Sequence, residues 1–150
     1  MPSFATTRRV GHTASNMFEL VADAENYPKF VPLCEALRIR GRQEAGEGRE
    51  VLVADMTVSF KLVRETFTSR VLLDRPAATI RVAYLDGPFE HLDNVWTFRD
   101  AGERACDVGF SIDYAFRNRM LGAIMGTMFD RAFRKFAEAF EKRADEVYGR

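Results

Sequence analysis

The residues best suited to chemistry in this sequence are few and widely separated. His12 and His91 are the only histidines, and Cys34 and Cys106 are the only cysteines. None of them has the spacing of a metal site, and the sequence contains no nucleophile elbow and no glycine-rich phosphate loop. His91 and Asp93 would share one face of a strand, where side chains two residues apart commonly just share solvent. These observations favour a protein that binds a partner over one that catalyses a reaction.

A row of arginines is the clearest charged feature. Arg38, Arg40 and Arg42 alternate along one predicted strand, which would place all three on the same face. Such a row is typical of a solvated sheet face with acidic residues on the neighbouring strand. The alternative is an anion-binding surface for RNA phosphate or for an anionic membrane. Lysine plus arginine and aspartate plus glutamate both total 22, and this balance argues against a general nucleic-acid-binding protein, so no DNA partner is expected.

Three segments are apolar at positions that are usually polar: one end of a predicted helix and two predicted loops. Met120–Phe129 is apolar almost all round, so a helix there needs burial on every side or a ligand on one side. Its three methionines would give an adaptable lining. The predicted loops Phe30–Leu33 and Leu85–Phe89 are also apolar, and each carries a proline. The three segments form either a hydrophobic entrance for an apolar ligand or a plug at the end of the core.

Single aromatic residues on the predicted strands extend this hypothesis. Trp96, the only tryptophan, alternates with polar residues and shares an apolar strand face with Leu92. A lone tryptophan in such a strand belongs either to the core or to the wall of a cavity. Phe67 and Tyr84 are weaker candidates of the same kind.

The remaining pattern predicts the elements that position these residues. The length of 150 residues fits one domain. We predict a strand over residues 3–10, a helix capped by Thr13 or Ser15, and a short helix over Pro28–Val31. Six strands with a period of two follow, and one long helix, Arg119–Tyr148, ends the chain. This order predicts an α+β fold with a curved antiparallel seven-stranded sheet wrapped around a long C-terminal helix, and two short helices after the first strand.

The sequence resembles a known superfamily at this point. The segment Tyr27–Cys34 reads YPKFVPLC and is similar to the YPxFVPxC segment of the coenzyme-Q-binding START proteins and the bacterial RatA proteins. Met56–Lys61, Glu65–Arg70 and Gly87–Phe89 match further, and the resemblance covers essentially the whole chain. It implies the helix-grip fold of the START superfamily.

The same resemblance implies two functions. One is a quinone- or lipid-binding domain that supports respiration, and the other, in the RatA branch, is a toxin that binds the large ribosomal subunit and blocks subunit association. The superfamily also permits an aromatase/cyclase-like enzyme on this fold. We expect a non-enzymatic protein that binds an isoprenoid ligand, in particular ubiquinone, between the sheet and the C-terminal helix. We expect no metal and no resident cofactor.

The residues expected to contact such a ligand are mostly aromatic or aliphatic: Phe30, Val31, Pro32, Leu33, Phe67, Tyr84, Phe89, Leu92, Trp96, Leu121, Met125, Met128 and Phe129. We place Phe30, Phe89 and Phe129 at the mouth of the cavity. The arginine row would hold the protein against a membrane or a ribosome. The longest uncharged run spans ten residues, half of what a membrane span needs. With no signal peptide recognised, this predicts a cytoplasmic protein with peripheral contact to the inner membrane.

Overall fold

The computed structural model describes residues 3–149, and about half of them lie in one antiparallel sheet. Its strands are β1 (Ser3–Val10), β2 (Cys34–Glu44), β3 (Arg49–Phe60), β4 (Val63–Asp74), β5 (Thr79–Asp86), β6 (Phe89–Asp100) and β7 (Cys106–Phe116). They are ordered β1-β7-β6-β5-β4-β3-β2, so the last strand pairs with the first and with its own predecessor. The alternating apolar pattern of the sequence produces this meander, because period-two side chains point to opposite faces of a sheet.

Four helical segments accompany the sheet: α1 (Ala14–Ala22), a 3₁₀ helix (Ala24–Lys29), α2 (Arg119–Arg134) and α3 (Phe136–Tyr148). Thr13 caps α1, since its hydroxyl accepts a hydrogen bond of 3.1 Å from the backbone N–H of Asn16. Asn118 caps α2 in the same way, with its Oδ1 accepting from the backbone N–H of Met120 at 2.8 Å. Both caps satisfy N–H groups that have no partner inside the helix.

The core lies between one face of the sheet and the C-terminal helices, and aromatic rings join the two layers. The Trp96 ring meets that of Phe140 edge-on at 5.0 Å, and the Tyr114 ring meets that of Phe133 at 5.1 Å. Edge-to-face pairs at such distances add to the free energy gained by burial. The arrangement confirms the helix-grip architecture predicted from the sequence.

The single long helix predicted over Arg119–Tyr148 is wrong in one respect. The helix is interrupted at Lys135, whose backbone N–H donates to the carbonyl of Ala132 at 3.0 Å and so tightens the turn. No glycine or proline causes this break. It lies between Phe133 and Phe136, whose rings contact each other at 5.2 Å and both face the sheet. The interruption lets both halves of the helix stay in contact with the curved inner face of the sheet. A straight helix of the same length would lose contact with that face at one end.

The short helix also lies elsewhere than predicted. The sequence suggests Pro28–Val31, because proline favours a first helical turn. Instead a 3₁₀ helix begins at Ala24, directly after the end of α1, and contains Pro28 in its last turn. Residues 30–33 then form the turn that leads into β2, so this apolar segment is a loop end and not a helix.

Candidate ligand-binding cavity

An apolar cavity of about 100 Å³ lies between the inner face of the sheet and the helices. Strands β2 to β7 supply its floor, and α2 and α3 supply a cover of phenylalanine rings. The lining from the strands includes Leu52, Ala54, Met56, Val71, Ile80, Val82, Leu92, Trp96 and Ile112, and the lining from the helices includes Phe129, Phe133, Phe136 and Phe140. Among residues 3–149, no charged side chain lines this space.

Six of the thirteen expected contact residues line the cavity: Pro32, Leu33, Phe67, Leu92, Trp96 and Phe129. They come from four separate parts of the chain, and the fold brings them together. Leu33 adopts a left-handed conformation with φ of 66°, and its carbonyl accepts a hydrogen bond of 3.0 Å from the N–H of Ser59. A bulky side chain rarely adopts this conformation, so the surrounding contacts hold the loop in place.

The other seven expected contact residues do not line the cavity: Phe30, Val31, Tyr84, Phe89, Leu121, Met125 and Met128. Phe30 is half-buried beside the cavity, where its ring meets the Phe140 ring edge-on at 5.0 Å. Val31 is buried in the turn before β2, and its N–H donates to the carbonyl of Tyr27 at 2.8 Å.

The placement of Phe89 at a cavity mouth is wrong. Its side chain is completely buried, and its ring centroid lies within 6 Å of those of Phe67, Tyr84, Phe116 and Phe129. Its backbone N–H donates to the Tyr84 hydroxyl at 3.0 Å. Phe89 is therefore the centre of an aromatic cluster that closes one end of the core, as the plug alternative proposed.

The methionine-rich start of α2 is not buried on every side, contrary to the expectation from its composition. Met125 is buried, but Met120 is 73% exposed and Ile124 is 57% exposed. Leu121 and Met128 are half-buried. One face of this helix packs on the protein, and the opposite apolar face meets solvent.

The exposed apolar residues concentrate at one end of the domain. Among residues 3–149, six large apolar side chains are exposed, and four of them form what we call the apolar rim: Leu62, Leu85, Met120 and Ile124. Leu62 is fully exposed in the β3–β4 turn, Leu85 stands at the end of β5, and the other two start α2. Antiparallel pairing brings these strand ends together at one end of the sheet. Pro32 and Leu33, which precede β2, lie at the same end. Exposed apolar groups gathered in this way mark an interaction surface.

The arginine row does not share one face of β2. Ile39 pairs with Ala54 and Gly41 with Val53, so Arg40 is an extra residue in a β-bulge. A bulge of this kind changes which face the following residues occupy.

The ion pairs of the arginines agree with this division. Arg38 and Arg40 lie on the outer face near Asp55, whose Oδ2 is 3.8 Å from the Arg40 Nε. Arg42 lies on the inner side, where it pairs with Glu25 at 3.1 Å and Glu50 at 3.6 Å.

The polar groups that line the cavity are Tyr27, Ser69 and Asn94, none of which the sequence analysis singled out. The Tyr27 hydroxyl donates to the carbonyl of Val21, and burial raises the pKa of Tyr27 far above its ordinary value. The Asn94 side-chain amide donates to the Ser111 carbonyl at 2.8 Å. Period-two alternation identified the inner face of these strands, but alternation alone does not distinguish a cavity wall from a filled core.

The two cysteines are free, buried thiols. Burial raises the pKa of each thiol from its ordinary value to about 11, so both are protonated at neutral pH. Neither is suited to act as a nucleophile, because the thiolate is the reactive form. Within the described residues, no group of three histidine, cysteine or acidic side chains is placed to hold a metal ion.

The curved sheet, the C-terminal helices and the apolar space between them define a START-like helix-grip domain. The chain belongs to the family described as polyketide cyclase / dehydrase and lipid transport, whose model matches residues 10–141.

Named relatives fall into two groups. The chain is 33% identical to the Escherichia coli K12 protein named ribosome association toxin RatA, with 99% of this chain and 90% of that protein covered. It is 31% identical to the Pseudomonas aeruginosa protein of the same name, with 92% of each covered. It is 27% identical to coenzyme Q-binding protein COQ10 homolog B of Xenopus laevis, with 98% of this chain and 59% of that protein covered.

Solved structures agree on the fold. An 18 kDa protein from Caulobacter crescentus is 35% identical, with a TM-score of 0.79 and full coverage of both chains. The Zhui aromatase/cyclase from Streptomyces sp. R1128 has a TM-score of 0.76 at 21% identity, covering 96% of this chain and 93% of that one. At that identity the likeness concerns the fold alone. In the described part of the chain, no helix is both long and apolar enough to span a bilayer.

Proposed function

We propose that this protein binds ubiquinone or a related isoprenoid lipid in the apolar cavity, and carries it without altering it chemically. The observation that carries this proposal is the cavity lining, which is mainly apolar and, among the described residues, carries no charge across six strands and four helical segments. Burying an isoprenoid tail gains about 25 cal/mol per Å² of apolar surface, so such a site needs lining more than catalytic groups. The relative named coenzyme Q-binding protein supports the choice of ligand.

Ligand entry requires the cavity to widen. Drug-sized ligands occupy roughly 300–1,000 Å³, and the space here is about 100 Å³. The first half of α2 is the element best placed to move, because Met125 is the only buried residue in its first ten positions. The interruption at Lys135 separates α2 from α3, which is anchored by Phe140. Segments with few buried contacts open at the lowest free-energy cost.

The apolar rim provides the contact with the membrane from which an isoprenoid lipid would be taken. Lys61 adjoins Leu62, and Arg117 and Arg119 precede Met120, while Asp86 is the acidic neighbour of Leu85. Apolar side chains flanked by basic groups suit the interface of an anionic bilayer. In this arrangement the protein acts in the cytoplasm and touches the inner membrane peripherally.

The test is to purify the protein from its native host and to analyse the extracted lipid by mass spectrometry. We expect an isoprenoid quinone at a substantial molar ratio, and the same quinone recovered unchanged after incubation with added protein. Absence of any quinone, together with no binding of added quinone, overturns the proposal. Recovery of a chemically altered ligand would instead support the aromatase/cyclase-like alternative.

A second function, association with the large ribosomal subunit, is favoured by the relatives named ribosome association toxin RatA, which are 31–33% identical over nearly the whole chain. The outer face of β2 offers Arg38 and Arg40 for contact with phosphates. Co-sedimentation with large subunits that weakens steeply with salt supports this function, because phosphate contacts release counterions. Equal sedimentation with and without subunits at low salt contradicts it.

A further inference from the structure

The Ser69 hydroxyl is buried without a hydrogen-bond partner. Its side chain is 5% exposed, and among the described residues Oγ is the one buried side-chain polar atom that makes no hydrogen bond. Ser69 lies on β4 and lines the cavity, with Phe67 and Val71 as its neighbours on the same face. Leaving a buried hydroxyl unpaired is unfavourable, and native proteins rarely do so without a reason.

A second polar group faces the same space from two strands away. Asn94 on β6 lines the cavity, and its amide N–H is used by the Ser111 carbonyl, while Oδ1 has no donor among the described residues. Val82 lies opposite both Asn94 and Val71 in the sheet, so an apolar patch separates the two polar groups. Two strand spacings across the sheet and two residues along the strand put them roughly 12 Å apart.

We propose that Ser69 is the polar anchor of the ligand site, with its hydroxyl donating to a carbonyl or hydroxyl oxygen of the bound molecule. Asn94 Oδ1 offers an acceptor for a hydroxyl group on the same molecule. The ligand class is therefore a neutral, mainly apolar molecule that carries at least one such oxygen. Ionised head groups are excluded, because none of the side chains of residues 3–149 that line the cavity is charged, and an unpaired buried charge is very costly.

This inference rests on the proposed function, since it specifies the ligand of the same cavity. Two probes separate the two claims. One is a benzoquinone with a single short isoprenyl tail, and the other is benzene carrying the same tail, which has no oxygen. Trp96 lines the cavity and is the only tryptophan, so quenching of its fluorescence reports binding of the quinone probe. The hydrocarbon probe has no quenching group, and its binding is measured by its displacement of the quinone.

The test compares Ser69→Ala with the wild type and with two further variants. Ser69→Ala should weaken binding of the quinone probe about five- to tenfold, the size of one lost hydrogen bond, and leave the hydrocarbon probe unchanged. Ser69→Thr keeps the hydroxyl and should bind the quinone within about threefold of the wild type. Ser111→Ala removes a hydroxyl from the opposite face of the same sheet and should change neither affinity.

Stability gives a second readout. Ligand-free Ser69→Ala should melt at the same or a higher temperature than the wild type, because the hydroxyl has no partner to lose. A melting temperature lower by several degrees contradicts the inference, since it means that the hydroxyl is paired within the protein. The inference is also overturned if Ser69→Ala loses affinity for both probes equally, or keeps its affinity for both. In either case the proposed function stands. Failure of both probes to bind the wild type removes the proposed function and this inference together.

Discussion

The Arg42 guanidinium lies 3.1 Å from the Glu25 carboxylate and ties β2 to the 3₁₀ helix from the inner side of the sheet. Two residues earlier on the same strand, Arg40 reaches Asp55 on the outer side. The bulge at Arg40 therefore divides three regularly spaced arginines into an outer pair, Arg38 and Arg40, and one inner residue, Arg42. Charge reversal on the outer face and charge reversal at Arg42 are therefore expected to have different effects on ribosome association.

Charge reversal on the outer face tests ribosome association. Arg38→Glu and Arg40→Glu, each made singly, should strongly weaken salt-sensitive co-sedimentation with large ribosomal subunits, because both side chains lie where phosphate can reach them. Arg42→Glu is the matched control, since it makes the same change on the same strand but on the inner side. Its surface ion pairs contribute about 0–1 kcal/mol each, so the control should still fold. If all three substitutions weaken sedimentation equally, the outer face is not the contact surface.

Substitution in the apolar rim tests membrane contact. Leu62→Asp and Met120→Asp should each reduce binding to vesicles of mixed neutral and anionic phospholipid by about tenfold or more, because a charge replaces an inserted apolar group. Vesicle flotation or sedimentation measures the bound fraction. Val147→Asp is the control, since Val147 is also exposed and apolar but stands near the end of α3, away from the rim. Unchanged binding of both rim variants would rule out this surface as the membrane contact.

The turn between β5 and β6 depends on Gly87, which has φ of 143°. A Cβ atom at Gly87 would lie 2.6 Å from the Cβ of Phe67, so the turn can approach this cavity residue only without a side chain. Gly87→Ala should lower the free energy of unfolding by about 2–4 kcal/mol.

Gly102→Ala provides the comparison for this turn. Gly102 has φ of 129°, but a Cβ there meets no atom within 4 Å, so it should cost only the conformational strain of about 1 kcal/mol. Urea denaturation followed by circular dichroism measures both variants. Equal losses for the two glycines would mean that contact with Phe67 contributes nothing.

The buried cysteines predict a loss of stability at alkaline pH. Burial raises the pKa of Cys34 in the folded protein from about 9 to about 11. Between these values the unfolded chain releases the thiol proton and the folded chain keeps it, so stability is complete below pH 9 and falls as the pH rises toward 11. The expected slope is about 1.4 kcal/mol per pH unit for each thiol.

Comparison of the wild type with Cys34→Ala isolates this contribution from other groups that titrate in the same range. The variant should show a shallower decline of the free energy of unfolding between pH 9 and pH 11. Cys106 has its pKa raised in the same direction, and Cys106→Ala should behave alike. Parallel declines in all three proteins would contradict a buried, protonated thiol in the folded state.

The sequence by itself determined the features that depend on residues close together along the chain, namely the strands, a helix cap and the inner face of a strand. Period-two alternation predicted the six strands that follow the short helix, and Thr13 was recognised as one of two candidate caps of α1. The apolar side chains along β6 identified the inner face that carries Leu92 and Trp96. These features follow from local backbone geometry, which repeats in a way that a sequence pattern records.

Only the tertiary structure decided the features that depend on distant partners. The bulge at Arg40 arises from pairing with β3, and one extra residue is enough to move Arg42 to the other face. The break at Lys135 follows from packing against a curved sheet. The sequence does not predict it, because no glycine or proline stands there. Phe89 and Ser69 occupy similar alternating positions, yet one fills the core and the other leaves a hydroxyl in a cavity. That difference is set by the volume left between layers that meet only after the chain has folded.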